Sequence, residues 1–183
     1  GWTSQDVTAR LRRVFETRRI GHGGTLDPMA TGVLPVFVGR ATRGVEFFEH
    51  AEKTYEALLL PGVVTDTEDV TGTVLERHPA ALTEAAVEAV LPRFRGEILQ
   101  VPPMYSALKV NGQKLCDLAR KGQTVERKPR PVTIHELAFL GFQDDCLRLR
   151  VRCSKGTYIR TLCKDLGEAL GCGGCMAQLR RVS

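Results

Sequence analysis

In "IGHGGTLDPMATGVLP", residues 20–35, a single carboxylate, Asp27, follows three glycines and precedes a proline, and the stretch holds no other acid. Gly21, Gly23 and Gly24 permit positive φ and the close approach of another chain, while Pro28 stiffens the backbone beyond. A carboxylate fixed in such a loop can meet a bulky substrate directly. The alternative is that Asp27 caps the turn "LDPMA" leading into a short helix, the common use of Asp before Pro. A phosphate-cradling loop is excluded, because neither G-x-G-x-x-G nor G-x-x-x-x-G-K-[ST] is present.

Two other motifs invite chemistry. Cys172 and Cys175, in "GCGGC", form one CxxC, but a structural zinc needs four ligands and Cys153 and Cys163 fall in a strand and a helix without pair spacing. The segment reads as a glycine-rich helix exit with two incidental thiols. "TDTEDVTG" lacks the Gly at the sixth position and the later bidentate Glu of a calcium loop, and reads as a connection between strands.

The elements that must position Asp27 are legible from periodicity. "TSQDVTARLRRVFE" starts at a Thr3 or Ser4 cap and places Val7, Leu11 and Val14 on one helical face with arginines on the others. "KTYEALLLPG" alternates Tyr55, Ala57 and Leu59 against Thr54, Glu56 and Leu58; "CLRLRVRC" alternates Leu147, Leu149 and Val151 against three arginines. Both are strands with one inward face. "LTEAAVEAVLPRF" is a helix capped by Thr83, with Val87, Val90 and Leu91 as its apolar stripe and Leu82 as a staple. Asn111-Gly112 marks a hairpin turn, "LCDLARKG" a short helix stopped by Gly122, and "TYIRTLCKDLGEALG" an amphipathic helix ending at Gly171. Without strict βαβ alternation, the fold class is α+β, with a mixed, largely antiparallel central sheet flanked by helices.

Composition bounds the function. With 183 residues and 43% hydrophobic content, the chain builds one core and reads as a single unit. No run approaches the roughly 20 apolar residues of a membrane span, and no secretory signal pattern opens the chain, so no membrane partner and a cytoplasmic setting are expected. The six irregularly spaced cysteines suit reduced thiols in such a compartment. The net charge is +5, with basic groups at Arg10, Arg12, Arg13, Arg18 and Arg19, at Lys121, Arg127, Lys128 and Arg130, and at Arg148, Arg150 and Arg152. Such clusters point to a phosphate-rich partner, or, taken singly, to solvated faces.

Four blocks, "GHGGTLDPMATGVLPVFVGRATR", "KTYEALLLPGVVTDTEDVTG", "VPPMYSALKVNGQKLCDLARKG" and "CSKGTYIRTLCKDLGEALGCG", resemble in order and separation the TruB family of tRNA pseudouridine synthases. The resemblance implies the pseudouridine synthase fold and isomerisation of the tRNA T-loop uridine: the N1–C1′ bond breaks and the base rejoins through C5. It implies neither metal nor organic cofactor, and a monomer whose partner is the tRNA T stem-loop. It further implies that Asp27 is the catalytic aspartate, acting as nucleophile or as base at the ribose. By the same resemblance, Tyr55 packs on the target base and takes the C5 proton, Arg160 pairs with Asp27, Tyr158 and Leu179 line the uracil pocket, and His22 lies near the flipped base. The resemblance further implies that residues 1–183 correspond to the catalytic domain, and it does not extend to the Lys-Pro-bearing first strand or the C-terminal PUA-type domain usual in the family. Two other readings stand beside this one: a guide-RNA-dependent pseudouridylase subunit, and an RNA-binding or RNA-folding module without chemistry.

Overall fold

The computed structural model describes residues 1–183, apart from the side chain of Glu49. Thr3 opens the first helix, α1 (Ser4–Val14), through a reciprocal cap: its Oγ1 accepts from the Asp6 N–H at 3.1 Å, and the Asp6 carboxylate accepts from the Thr3 N–H at 2.9 Å. The Thr3 hydroxyl, which also donates to that carboxylate at 2.6 Å, and the Thr3 N–H together hold the Asp6 carboxyl below its ordinary value. Of the expected Val7–Leu11–Val14 face, Val7 and Leu11 are half-buried and Val14 is turned to solvent. Ser4 and Thr8 are the buried residues, and Val14 is 61% exposed. The reason is a polar seam: Ser4 Oγ accepts from the Leu26 N–H at 2.9 Å and donates to the Leu26 carbonyl at 3.3 Å, so α1 docks by its first turn onto the loop before Asp27.

From α1 the chain enters β1 (Ile20–His22), β2 (Thr31–Gly32) and β3 (Val36–Val38), with β1 and β3 paired antiparallel, and then α2 (Val45–Glu49). The central elements follow: β4 (Lys53–Pro61), the hairpin β5 (Val63–Thr65) and β6 (Val74–Arg77), α3 (Glu84–Val90), and β7 (Gly96–Gln100). Thr83 Oγ1 caps α3 by accepting from the Ala86 N–H. An excursion carries a small hairpin, β8 (Lys109–Val110) and β9 (Gln113–Lys114), with Asn111 and Gly112 both at positive φ (51° and 81°) as its two-residue turn requires. It continues into α4 (Leu115–Arg120) and has its own apolar centre of Met104, Leu115 and Leu118. The chain closes with β10 (Arg130–Gln143), β11 (Cys146–Cys153), α5 (Ile159–Ala169) and β12 (Gly174–Arg181).

Six strands form the main sheet in the order β2-β12-β4-β11-β10-β7, antiparallel except for the β12–β2 contact, as the mixed pattern predicts. The inward residues of β4 and β11 meet α5 and α3: Ala57, Leu59, Leu147, Leu149 and Val151 pack with Val87, Leu91, Ile159, Leu162, Cys163 and Leu166. Truncating such a fully buried leucine costs about 2–5 kcal/mol. All six cysteines are free thiols, and burial pushes Cys153 and Cys175 up to about 11, which leaves them protonated core groups. The arginine face of β11 is less basic than its sequence suggests. Arg152 pairs with Glu52 at 2.7 Å and approaches Glu136, which also takes Arg150 at 3.7 Å.

Candidate functional site

Asp27 stands at the head of a turn closed by an Ala30 N–H to Asp27 carbonyl bond of 2.9 Å, and β2 follows rather than a short helix. The turn expected at "LDPMA" is therefore present, but the side chain does not cap it. Both carboxylate oxygens are engaged by Arg160: Nε donates to Oδ2 at 2.9 Å and Nη2 donates to Oδ1 at 3.1 Å. This two-pronged contact fixes the plane of the carboxylate as well as its position. The aspartate side chain remains 32% exposed while that of Arg160 is only 6% exposed. The pair thus has a wet acid end and a dry basic end.

Arg160, in the first turn of α5, uses its remaining donors on two other segments. Nη1 donates to the Thr67 carbonyl at 3.0 Å and Nη2 to the Tyr105 carbonyl at 2.9 Å. The buried Asp69 lies 3.8 Å from Nε, and its Oδ1 accepts from the Thr67 hydroxyl, the Thr71 N–H and the Thr71 hydroxyl. One cation therefore faces two carboxylates and two carbonyls. The loop between β5 and β6 can close this tightly because residue 72 is glycine; a Cβ there would overlap Thr67 Oγ1 and Asp66 Oδ1.

Tyr55 lies on β4, opposite Arg181 of β12 and Val151 of β11. Burial raises its phenol above the ordinary value, the adjacent Arg181 guanidinium opposes that, and the Asp27 charge adds to the rise. Leu179, two residues before Arg181, is buried and registers with Ala57. Tyr158 precedes α5, and its backbone is clamped by the buried Gln100: the Tyr158 N–H donates to Gln100 Oε1 at 3.0 Å and Gln100 Nε2 donates to the Tyr158 carbonyl at 3.2 Å. Burial raises the Tyr158 phenol, with Ser106 and Arg160 opposing and Asp27 adding. His22, on β1, has no hydrogen bond to any of these groups, and its buried Nδ1 is without a partner among the described residues.

The structure thus joins Asp27 to Arg160 directly and brings Tyr55 and Tyr158 within the field of Asp27. Among the described residues no hydrogen bond joins the buried Nδ1 of His22 to them. Several contributors escape a reading of the sequence. Thr67 and Asp69 sit in the segment that reads as a plain connection, and Gln100 closes an ordinary strand. Arg181, 2% exposed, donates to the Val33 carbonyl at 2.8 Å and the Gly24 carbonyl at 3.2 Å, tying the glycine loop to β12. Its signal is parity: Leu179 and Arg181 share a face of their strand, so an arginine stands where a core residue belongs.

Around the site the basic groups divide. Arg10, Arg12, Arg13, Arg18 and Arg19, together with Lys121, Lys128 and Arg130, enter no ion pair among the described residues, in contrast to Arg150 and Arg152. No helix is long and apolar enough to cross a membrane.

Comparison with known proteins gives two family matches. Residues 12–159 match the model described as TruB family pseudouridylate synthase (N terminal domain), and residues 160–183 match tRNA pseudouridylate synthase B C-terminal domain. The chain is 53% identical over 182 residues to tRNA pseudouridine synthase B of Stutzerimonas stutzeri (strain A1501), covering 100% of this chain and 60% of that protein. It is 50% identical over 183 residues to the protein of the same name from Azoarcus sp. (strain BH72), covering 100% of this chain and 61% of that protein. The chain thus spans about 60% of the length of the curated relatives it matches. Among solved structures, a chain of a Cbf5-Nop10-Gar1 complex superposes with a TM-score of 0.77 at 32% identity, covering 100% of this chain and 45% of that one. A chain of an H/ACA RNP bound to a substrate RNA containing 2′-deoxyuridine superposes with a TM-score of 0.73 at 29% identity, covering 100% of this chain and 44% of that one.

Proposed function

Because the chain belongs to the TruB family of pseudouridylate synthases, we propose that it isomerises the T-loop uridine of tRNA to pseudouridine, acting as a monomer, with Asp27 as the carboxylate that engages the ribose. The observation that carries this reading is the two-pronged Arg160–Asp27 contact, which holds a part-exposed carboxylate in one plane at the end of a glycine loop.

A uridine stacked within the T loop hides both C1′ and C5, so the base must be extruded, at a cost of about a few kcal/mol. His22 takes up space near the extruded base, while Tyr55, Tyr158 and Leu179 receive the uracil ring and replace its lost stacking. Cleavage of N1–C1′ develops positive charge at C1′, and an adjacent anion stabilises or traps it. The detached uracil turns, C5 bonds to C1′, the C5 proton leaves and N1 gains one, so atoms and electrons balance without an oxidant or reductant. Tyr55 receives the C5 proton. To take it the phenol must first give up its own proton; burial works against that phenolate, and the Arg181 guanidinium beside it is the group that opposes the burial.

The unpaired arginines of α1 and the lysines of the β8–β9 excursion supply the phosphate contacts that hold RNA in register. A stand-alone enzyme, rather than a guide-RNA-dependent subunit, is favoured by the higher identity to tRNA pseudouridine synthase B, 53% against 32% for the Cbf5 chain. The binding-only alternative gives no reason for the Asp27–Arg160–Asp69 arrangement, since RNA binding alone needs no carboxylate fixed by a buried guanidinium.

The test is tritium release from a T stem-loop RNA labelled at uracil C5. Release by the wild-type chain and its loss in Asp27→Asn, with RNA affinity retained, is the expected outcome. RNA binding without release from the wild-type chain would favour the module without chemistry.

A further inference from the structure

Glu68 lies between Thr67 and Asp69, the two loop residues at Arg160, yet its own side chain reaches α5. Its Oε2 accepts from the Thr161 hydroxyl at 2.6 Å, and its Oε1 lies 3.4 Å from Lys164 Nζ. Thr161 is fully buried and follows Arg160 directly; Lys164 lies three residues further on, on the same helical face. The Glu68 carbonyl accepts from the Met176 N–H at 3.0 Å, which sets the same loop against β12.

Two features make this residue unusual for a connecting loop. Its backbone is left-handed, at φ 63°, a region that costs a side-chain-bearing residue roughly 1–2 kcal/mol. Its carboxylate is also withdrawn from water, the residue being 8% exposed, and a buried charge is costly unless paired. Loop closure explains neither, because a glycine would take the same φ without strain and without a charge to bury. Strain retained beside a functional group points to a role in placing that group.

We propose that Glu68 is a positioning residue for Arg160, a role that rests on the reading given under Proposed function. By holding Thr161 and Lys164 together, it fixes the roll of the first turn of α5 about its own axis. That roll decides whether the Arg160 fork meets Asp27 squarely. Thr67 and Asp69 hold the guanidinium from the loop side, and Glu68 holds the backbone that carries it, so one short segment grips both ends of the arginine.

The decisive variant is Glu68→Gly, which relieves the left-handed strain while removing the carboxylate. Single-turnover tritium release, RNA affinity, Tm and the ¹H–¹⁵N signal of the Arg160 Nε–H are read together. The expected result is a chain that melts no lower than wild type and binds RNA equally well. Its rate constant falls about tenfold or more, in line with the sensitivity of catalysis to small displacements, and its Arg160 Nε–H exchanges faster with solvent. Glu68→Gln, which keeps an acceptor for Thr161, recovers most of the rate, and Thr161→Val reproduces the loss. A wild-type rate in Glu68→Gly, or a rate loss with an unchanged Arg160 signal, overturns the proposal. Should the wild-type chain release no tritium, the enzymatic reading fails, while the Arg160 signal still decides whether Glu68 positions it.

Discussion

Two groups of arginines sit in the same fold and do opposite things with their charge. On the outer face of β11, Arg150 and Arg152 meet Glu136 and Glu52 in pairs about half open to water, with side chains 48% and 44% exposed. At the head of α5, Arg160 is withdrawn from water and holds two carbonyls and the Asp27 carboxylate, with Asp69 close by. The surface pairs balance charge while leaving their side chains free to move. The buried arginine gives geometry, because a guanidinium stripped of water is stable only where every partner is in place.

Breaking the buried group should have the largest effect. Arg160→Ala leaves Asp69 without its cation; we expect turnover to fall about 10³-fold and the fold to lose roughly 3 kcal/mol, read by single-turnover kinetics and Tm. Arg160→Lys keeps a charge but not the fork, and should lose about 10²-fold in rate with RNA affinity unchanged. The contrast sharpens on a third set, the arginines of α1. Reversing Arg10 and Arg13 to Glu should weaken RNA binding and make the slope of log affinity against log salt shallower by about 1 for each phosphate that is no longer neutralised. Reversing Arg152 should leave that slope nearly unchanged.

Smaller effects test charge near the buried group. Burial pushes Asp165 from an ordinary 3.8 up to about 6, opposed by Lys164 and reinforced by Glu168 and Glu68. A carboxyl raised in the folded state stabilises the fold below its unfolded value, and that contribution is lost as pH rises through about 6. Asp165→Asn should therefore be more stable than wild type at pH 8, by about 1 kcal/mol after solvent screening, with the gain gone near pH 4; Tm at the two pH values reads it. Least of all, Arg152→Ala should change stability by less than about 0.5 kcal/mol, although its contact with Glu52, at 2.7 Å, is shorter than either Arg160–Asp27 bond.

The same contrast explains what can be read from the chain without its structure. Tyr55, Ala57 and Leu59, or Leu147, Leu149 and Val151, announce their strands because alternation is a local property, and Asn111-Gly112 announces its turn because only a few residue types accept positive φ. The amphipathic run of α5 is equally local. What no local pattern carries is partnership across the fold. Arg160 finds Asp27 at a sequence distance of 133 residues and Thr67 at 93, and Gln100 finds Tyr158 at 58. Family resemblance supplies the first of these pairs and neither of the others. On α1, apolar periodicity points to Val14, whereas the docking is made by Ser4 with its two bonds to the Leu26 backbone. A polar seam leaves no hydrophobic trace.

The convergence on Arg160 also sets an order in time. As the chain is synthesised from its N-terminus, Asp27, Thr67 and Tyr105 emerge long before the residue that gathers them. Arg181, which ties down the glycine loop, comes later still, on a strand inserted between β2 and β4 rather than added at an edge. Contacts of such long sequence separation form slowly. The nascent chain therefore carries Asp27 on a loop held only from the α1 side, by Ser4, until α5 and β12 have been made, and the Arg160 and Arg181 contacts that fix it come last among those described.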